Sequence, residues 1–344
     1  MKKFLLSTIH YPLLTVLLFL ALGSSLIAIM NGCATVPKME YVFPPAPARP
    51  KLKFLYNLRS EVDLHPQGRA PLLTAIWYFL LGREVQNLVL VQPQQVCAYD
   101  TRVYVTDIAQ KKVVVFDFAT KSISYIAVPG VPTGIAVDNE GRLYIAEGLN
   151  LFIKVYDRTG NFLYQFGGKI GSEAGQFSGP QGMVVDRERG LLYISDRGGN
   201  NRIAIYDLQG NFLYNIGQEQ IIWVQYIATD NQGKIYLSES FKRTVLVYDR
   251  MGKFIRTIGE AGDTIGSFAR PKGIAVDSDG NIYVADGEFD VIQVFSPEGR
   301  TNFFWIGTPP VRFNFLQGLY IDEKDRLYVV DTLNQRIQVY QYLK

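Results

Sequence analysis

Six times the chain runs through a short apolar stretch to an aspartate, turns, and enters a second apolar stretch with a tyrosine at its centre. The aspartates are Asp100, Asp138, Asp186, Asp230, Asp277 and Asp322, spaced by 38, 48, 44, 47 and 45 residues. A repeat of that size is one supersecondary unit that cannot bury its faces alone, so six of them predict a ring of stacked sheets. The predicted fold is all-β, a six-bladed β-propeller with four-stranded blades. The runs Gly134–Asp138, Gly182–Asp186, Gly273–Asp277 and Gly318–Asp322 read as innermost strands, where glycine lets neighbouring backbones approach near a crowded axis. Val96–Asp100 and Tyr226–Asp230 occupy the same place without the glycine.

Second strands follow at Val103–Val105, Leu143–Ile145, Leu192–Ile194, Ile235–Leu237, Ile282–Val284 and Leu327–Val329, and third strands at Val113–Phe116 through Ile337–Tyr340. Phe162–Phe166, Phe212–Ile216 and Phe254–Ile258 read as outer strands. The sixth repeat lacks one before the chain stops at Lys344. Phe54-Leu55-Tyr56-Asn57-Leu58 closely repeats Phe212-Leu213-Tyr214-Asn215-Ile216, so the N-terminal strand is predicted to complete the C-terminal blade and protect its edge.

Phe177-Ser178-Gly179-Pro180-Gln181-Gly182, Tyr193-Ile194-Ser195-Asp196 and Asn201-Arg202-Ile203 resemble the NHL family of β-propellers, as does Phe268-Ala269-Arg270-Pro271-Lys272-Gly273 through Asp286. The resemblance covers about residues 51–344 and implies the fold. Such propellers include protein-binding, RNA-binding and enzymatic members, so it implies no single activity.

The N-terminus has its own logic. Lys2 and Lys3 precede an apolar run over 11–30, which reads as an export signal or a membrane anchor. Met30-Asn31-Gly32-Cys33 resembles a bacterial lipobox, making Cys33 the expected lipidation site after cleavage of residues 1–32. Either form places the remainder in a bacterial cell envelope, membrane-associated on the extracytoplasmic side. Residues 33–50, with five prolines, read as a tether. Within 59–92, an insertion into the repeat, Ala70–Leu81 reads as a short helix or cap over one face.

Function is less constrained. With 35 Lys plus Arg against 32 Asp plus Glu, the chain is too balanced for general nucleic-acid binding. Two histidines and two cysteines supply neither a His-rich zinc centre nor a disulfide framework, and Cys97, in an apolar run, reads as a buried structural thiol. Asp107, Glu147, Asp196, Glu239, Asp286 and Asp331 recur just after the second strands; a ring would gather them at one mouth. They bind Ca2+ or a basic partner there, or satisfy backbone donors and pair with Arg202, Arg243 and Arg336. The family resemblance also brings in calcium-supported lactonase-like propellers and amidating-lyase propellers; the latter need histidines for their metal chemistry, and this chain offers only His10 in the leader and His65 before the proposed cap. Trp77 in the proposed cap and Arg197, Arg202, Lys242 and Arg243 on loops are candidate partner contacts. The favoured expectation is a non-catalytic, membrane-tethered binding or assembly module, monomeric, without a resident cofactor, recognising an envelope protein or glycan. The alternative is a calcium-supported hydrolase or lactonase-like propeller enzyme.

Overall fold

The computed structural model describes residues 41–44, 49, 51–65, 89–217, 219–306 and 311–344. The predicted leader, Cys33 and most of the proposed cap, including Trp77, lie outside these residues. Among the described residues no helix is long and apolar enough to cross a membrane.

Five four-stranded antiparallel meanders and one five-stranded sheet form six blades. Blades 1 to 5 span 93–127, 132–167, 180–216, 224–258 and 271–306. Blade 6 joins the chain's two ends: Leu316–Ile321, Arg326–Asp331 and Arg336–Tyr342 are followed in space by Leu52–Leu58 and then by Val42–Phe43. The closing register runs from Leu52 opposite Tyr342 to Leu58 opposite Ile337. Closure by an N-terminal strand is therefore as expected, and the two-residue strand Val42–Phe43 carries the sheet into the segment read as tether. The outer strands Ser122–Ala127 and Thr301–Ile306, which the sequence does not single out, complete blades 1 and 5.

Alternation sets the packing. Each blade's second and third strands are buried almost throughout, and their apolar faces form the clusters between adjacent blades, as where Tyr144 and Ile153 meet Met183 and Leu192. A β-carbon at Gly134 would lie 1.7 Å from the carbonyl oxygen of Gln181, and one at Gly182 would lie 2.0 Å from that of Gln225. Neighbouring inner strands approach too closely for any side chain there, which is why the repeat carries glycine.

A recurrent turn fixes each blade's first hairpin. Asp138, Asp230, Asp277 and Asp322 each accept backbone N–H groups two and four residues on. Each also accepts the hydroxyl of the tyrosine six residues on, at 2.9–3.1 Å. Blade 1 departs from this pattern: Tyr99 pairs with Arg102 across a two-residue turn in which Asp100 has φ 54°. Its inner strand is consequently offset by one residue, and Gln95, not Val96, stands where the other blades have glycine.

The meander gives the ring two distinct faces. Turns between second and third strands, and crossings from one blade to the next, lie on what we call the upper face. Turns between first and second strands, and between third and fourth, lie on the lower face.

Candidate functional site

The six recurrent carboxylates occupy one register. Asp107, Glu147, Asp196, Glu239, Asp286 and Asp331 each pair with the first residue of their own blade's inner strand, at the upper end of the sheet. All six are fully buried. They tie loops down: Asp107 accepts the Val91 N–H at 2.6 Å, Asp286 that of Ala269 at 2.7 Å, and Asp331 that of Asn314 at 2.7 Å. Glu239 accepts from Trp223 and Lys242. Three also hold a cation, with Lys154 at 3.1 Å from Glu147, Arg202 at 3.2 Å from Asp196 and Arg336 at 2.7 Å from Asp331. Each carboxylate is occupied by its own blade and the crossing that leads into it, and among the described residues no group of three or more His, Cys, Asp or Glu is arranged to hold a metal ion. The contacts seen are those of the structural reading, in which the carboxylates satisfy backbone donors and pair with basic side chains.

The axial channel is divided. In blade 4 the inner-strand glycine is replaced by Tyr226, whose hydroxyl donates to Gln317 Oε1 of blade 6 at 2.9 Å. The phenol thus reaches across the axis, and burial raises its pKa. Below it is a chamber of about 440 Å³, lined by Cys97, Met183, Ile227 and Tyr320 among others. Arg187 of blade 3 lies over this lower mouth and pairs with Glu323 of the opposite blade. Cys97 is buried, and its thiol pKa is raised by desolvation.

The upper mouth has different chemistry. A cleft of about 920 Å³ lies between blades 3, 4 and 5, lined by Arg197, Trp223, Gln225, Ser240, Phe241, Arg243, Ala269, Arg270, Lys272 and Glu288. Four cations face one carboxylate. Arg270 and Glu288 form an exposed pair at 3.8 Å. Arg197 makes no ion pair among the described residues; its guanidinium stacks over the Trp223 ring at 4.8 Å, and desolvation lowers its pKa. Lys272 is only 7% exposed and also has no ion pair among the described residues. Desolvation first, then repulsion from Arg270 and Arg197, pushes its pKa down to about 8.

Two of the predicted contact residues, Arg197 and Arg243, line this cleft. Lys242 instead donates to the Gln220 carbonyl, and Arg202 is buried against Asp196 and the carbonyls of Ser172 and Gln176. Sequence reasoning missed Lys272. Its signal was available in the repeat, because the position just before the glycine reads Thr133, Gln181, Gln225, Lys272 and Gln317. Lysine is the one charged member of that column, and the fold places it at the axis.

Comparison with known proteins agrees with this architecture. A family profile described as a 6-bladed beta-propeller matches residues 220–303, and an NHL repeat profile matches 177–206. The chain is 26% identical over 128 residues to the protein brain tumor of Drosophila melanogaster, covering 37% of this chain and 12% of that one. It is 27% identical over 132 residues to human NHL repeat-containing protein 3, covering 36% and 35%. The matches thus span well under two thirds of either relative. They support an NHL-repeat, six-bladed β-propeller family.

Among solved structures, virginiamycin B lyase from Staphylococcus aureus superposes with TM-score 0.54 at 14% identity, covering 74% of this chain and 85% of that one. A gluconolactonase from Xanthomonas campestris gives 0.56 at 15%, covering 74% and 87%. An auxiliary nutrient binding protein from Bacteroides thetaiotaomicron gives 0.59 at 15%, covering 74% and 70%. These likenesses concern the fold, which is shared by enzymes and nutrient-binding propellers. They correct the preference for a non-catalytic module, since lyases and a gluconolactonase stand among the similar structures. A propeller mouth assembled from different blades leaves no local motif by which a catalytic site could be read from the sequence.

Proposed function

We propose that the chain is a propeller enzyme that draws a small anionic ester or lactone into the upper mouth and hydrolyses it with Lys272 as general base. The observation that carries this reading is the buried Lys272 beside Arg197, neither with a counter-ion among the described residues. Holding two like charges there is costly unless a ligand supplies negative charge. Arg197 and Arg270 bind and orient the substrate's acidic group and concentrate anions at the mouth. An amine with a pKa of about 8 is neutral in a useful fraction near neutral pH. It removes a proton from water as the water oxygen attacks the acyl carbon. The acyl C–O bond then breaks, and the departing alkoxide takes the proton back from the Lys272 ammonium, leaving acid and alcohol. Arg243 supports the developing oxyanion.

A histidine-based route has less support here: His65, the one histidine among the described residues, does not line the cleft. In the same reading the N-terminal segment, lipidated at Cys33 or retained as a helix, holds the propeller on the outer side of a bacterial envelope membrane.

The test is turnover of lactones and aryl esters with and without a carboxylate or phosphate, by parent and Lys272→Met. Selective turnover of the acidic members, lost at least a hundredfold in the variant with melting preserved, supports the assignment; equal turnover by both proteins overturns it.

A further inference from the structure

Large apolar side chains are exposed on this molecule, and their distribution is uneven. Of the sixteen among the described residues, nine lie in the turns and crossings of the upper face, and one, Met251, lies in a lower-face turn. The others are on outer strands. Single exposed apolar residues are ordinary on a soluble protein, and the longer crossings of the upper face account for only part of a nine-to-one difference. Here Leu149, Ile170, Phe241, Ile265 and Leu333 are 62–79% exposed, and Phe289 is 45% exposed. They project from turns or crossings of blades 2, 4, 5 and 6 and from the crossing into blade 3, so they stand around the mouth instead of merging into one patch.

We infer that the upper face docks on a phospholipid bilayer, with these tips entering the interfacial layer. Isolated apolar tips around a rim suit a fluid plane, which accommodates each one separately. A protein partner of fixed shape is better matched by a contiguous apolar core with a polar rim. Exposed cations stand beside two of the tips, Lys169 next to Ile170 and Arg243 near Phe241, where they complement lipid phosphates, while the acids Glu288 and Asp263 stand next to Phe289 and near Ile265. A membrane segment in the same chain, as the apolar run over 11–30 suggests, raises the local concentration of bilayer and makes individually weak insertions sufficient. The docked face carries the cleft, so ligand would enter from the membrane side. This inference does not depend on the chemistry proposed for Lys272.

The experiment uses the full chain reconstituted into phosphatidylcholine vesicles, with or without phosphatidylglycerol. An environment-sensitive fluorophore is placed in turn at Leu149→Cys, Phe241→Cys, Leu333→Cys and Met251→Cys. The expected result is a blue-shifted emission at the three upper-face sites, quenched by lipid-borne quencher, with position 251 unchanged. A second measurement uses vesicles to which the protein is added after the leader is removed. Replacing Leu149, Phe241, Ile265 and Leu333 together with serine, all exposed and outside the core, should lower partitioning at least tenfold. Equal emission at all four sites, or partitioning unaffected by the serines, overturns the proposal. A shift at the upper sites that appears only when membrane proteins are present overturns it in favour of a protein partner.

Discussion

Leu58→Ala tests whether the N-terminal strand holds the whole ring or only its own edge. Leu58 is fully buried, and it packs in one cluster with Leu64, Leu90, Val330, Ile337 and Val339, residues that belong to blade 6 and to the approach to blade 1. Removing three carbons from such a site costs about 2–5 kcal/mol, the upper half applying where flanking sheets cannot collapse into the void. Leu58 is held by its ladder partner Ile337 on one side and packed by Leu64 and Leu90 in the same cluster, so ~4 kcal/mol is the expectation. Domain stabilities run about 5–15 kcal/mol, so one methyl-for-isobutyl exchange removes a large share of the total. Urea unfolding reads the loss, and hydrogen exchange locates it. Ile194 and Ile205 of blade 3, opposite blade 6 in the ring, should exchange faster in proportion to the global loss, because opening the closure leaves the seven-residue edge Arg336–Tyr342 unpaired and lets the blades separate. A cost below ~1 kcal/mol, or faster exchange confined to blade 6, would refute the idea that closure is what makes the ring cooperative.

Lys272 couples stability to pH. Its folded pKa of about 8 lies below the ordinary lysine value, so between the two the unfolded chain binds the extra proton. Stability should therefore rise with pH from about 8 to 10.5 by up to ~3 kcal/mol relative to Lys272→Met, measured as the difference between their denaturation curves at each pH. Binding of an inert anion at about pH 8–9, where much of the amine is neutral, should be accompanied by proton uptake, detectable by calorimetry in buffers of different ionisation enthalpy. Asp196→Ala strips Arg202 of its buried partner and frees the N–H groups of Ser178 and Gly179, costing about 3–5 kcal/mol in urea unfolding. Glu323→Gln, on an exposed pair with Arg187, should stay within ~1 kcal/mol of the parent by the same assay. Tyr226→Phe removes the hydroxyl that meets Gln317 and should cost ~1–2 kcal/mol, and a cost indistinguishable from zero would argue against the phenol as a structural divider of the channel.

Repetition made the blades legible in the amino-acid order. Alternating apolar strands, the Asp-to-Tyr spacing of the hairpins and the glycine of the inner strands each recur because every blade solves the same local problem. The missing outer strand of the sixth repeat, set against Phe54–Leu58, was enough to predict closure. Local patterns also located the six carboxylates, although whether they converge on a ligand or hold their own loops depends on where the neighbouring N–H groups lie. The active-site candidate was hidden for a different reason. Lys272, Arg197 and Trp223 come from three blades, and nothing near any of them in the chain tells that they meet. Only ring closure brings them to one mouth, leaves two of the cations without an ion pair among the described residues, and carries the phenol of Tyr226, whose place in the repeat is visible in the sequence, across the axis to Gln317. Local pattern determined the unit and the number of its copies. The charge of the mouth, the division of the channel and the apolar rim are properties of the assembled ring, because each sums single residues that different blades contribute at the same height.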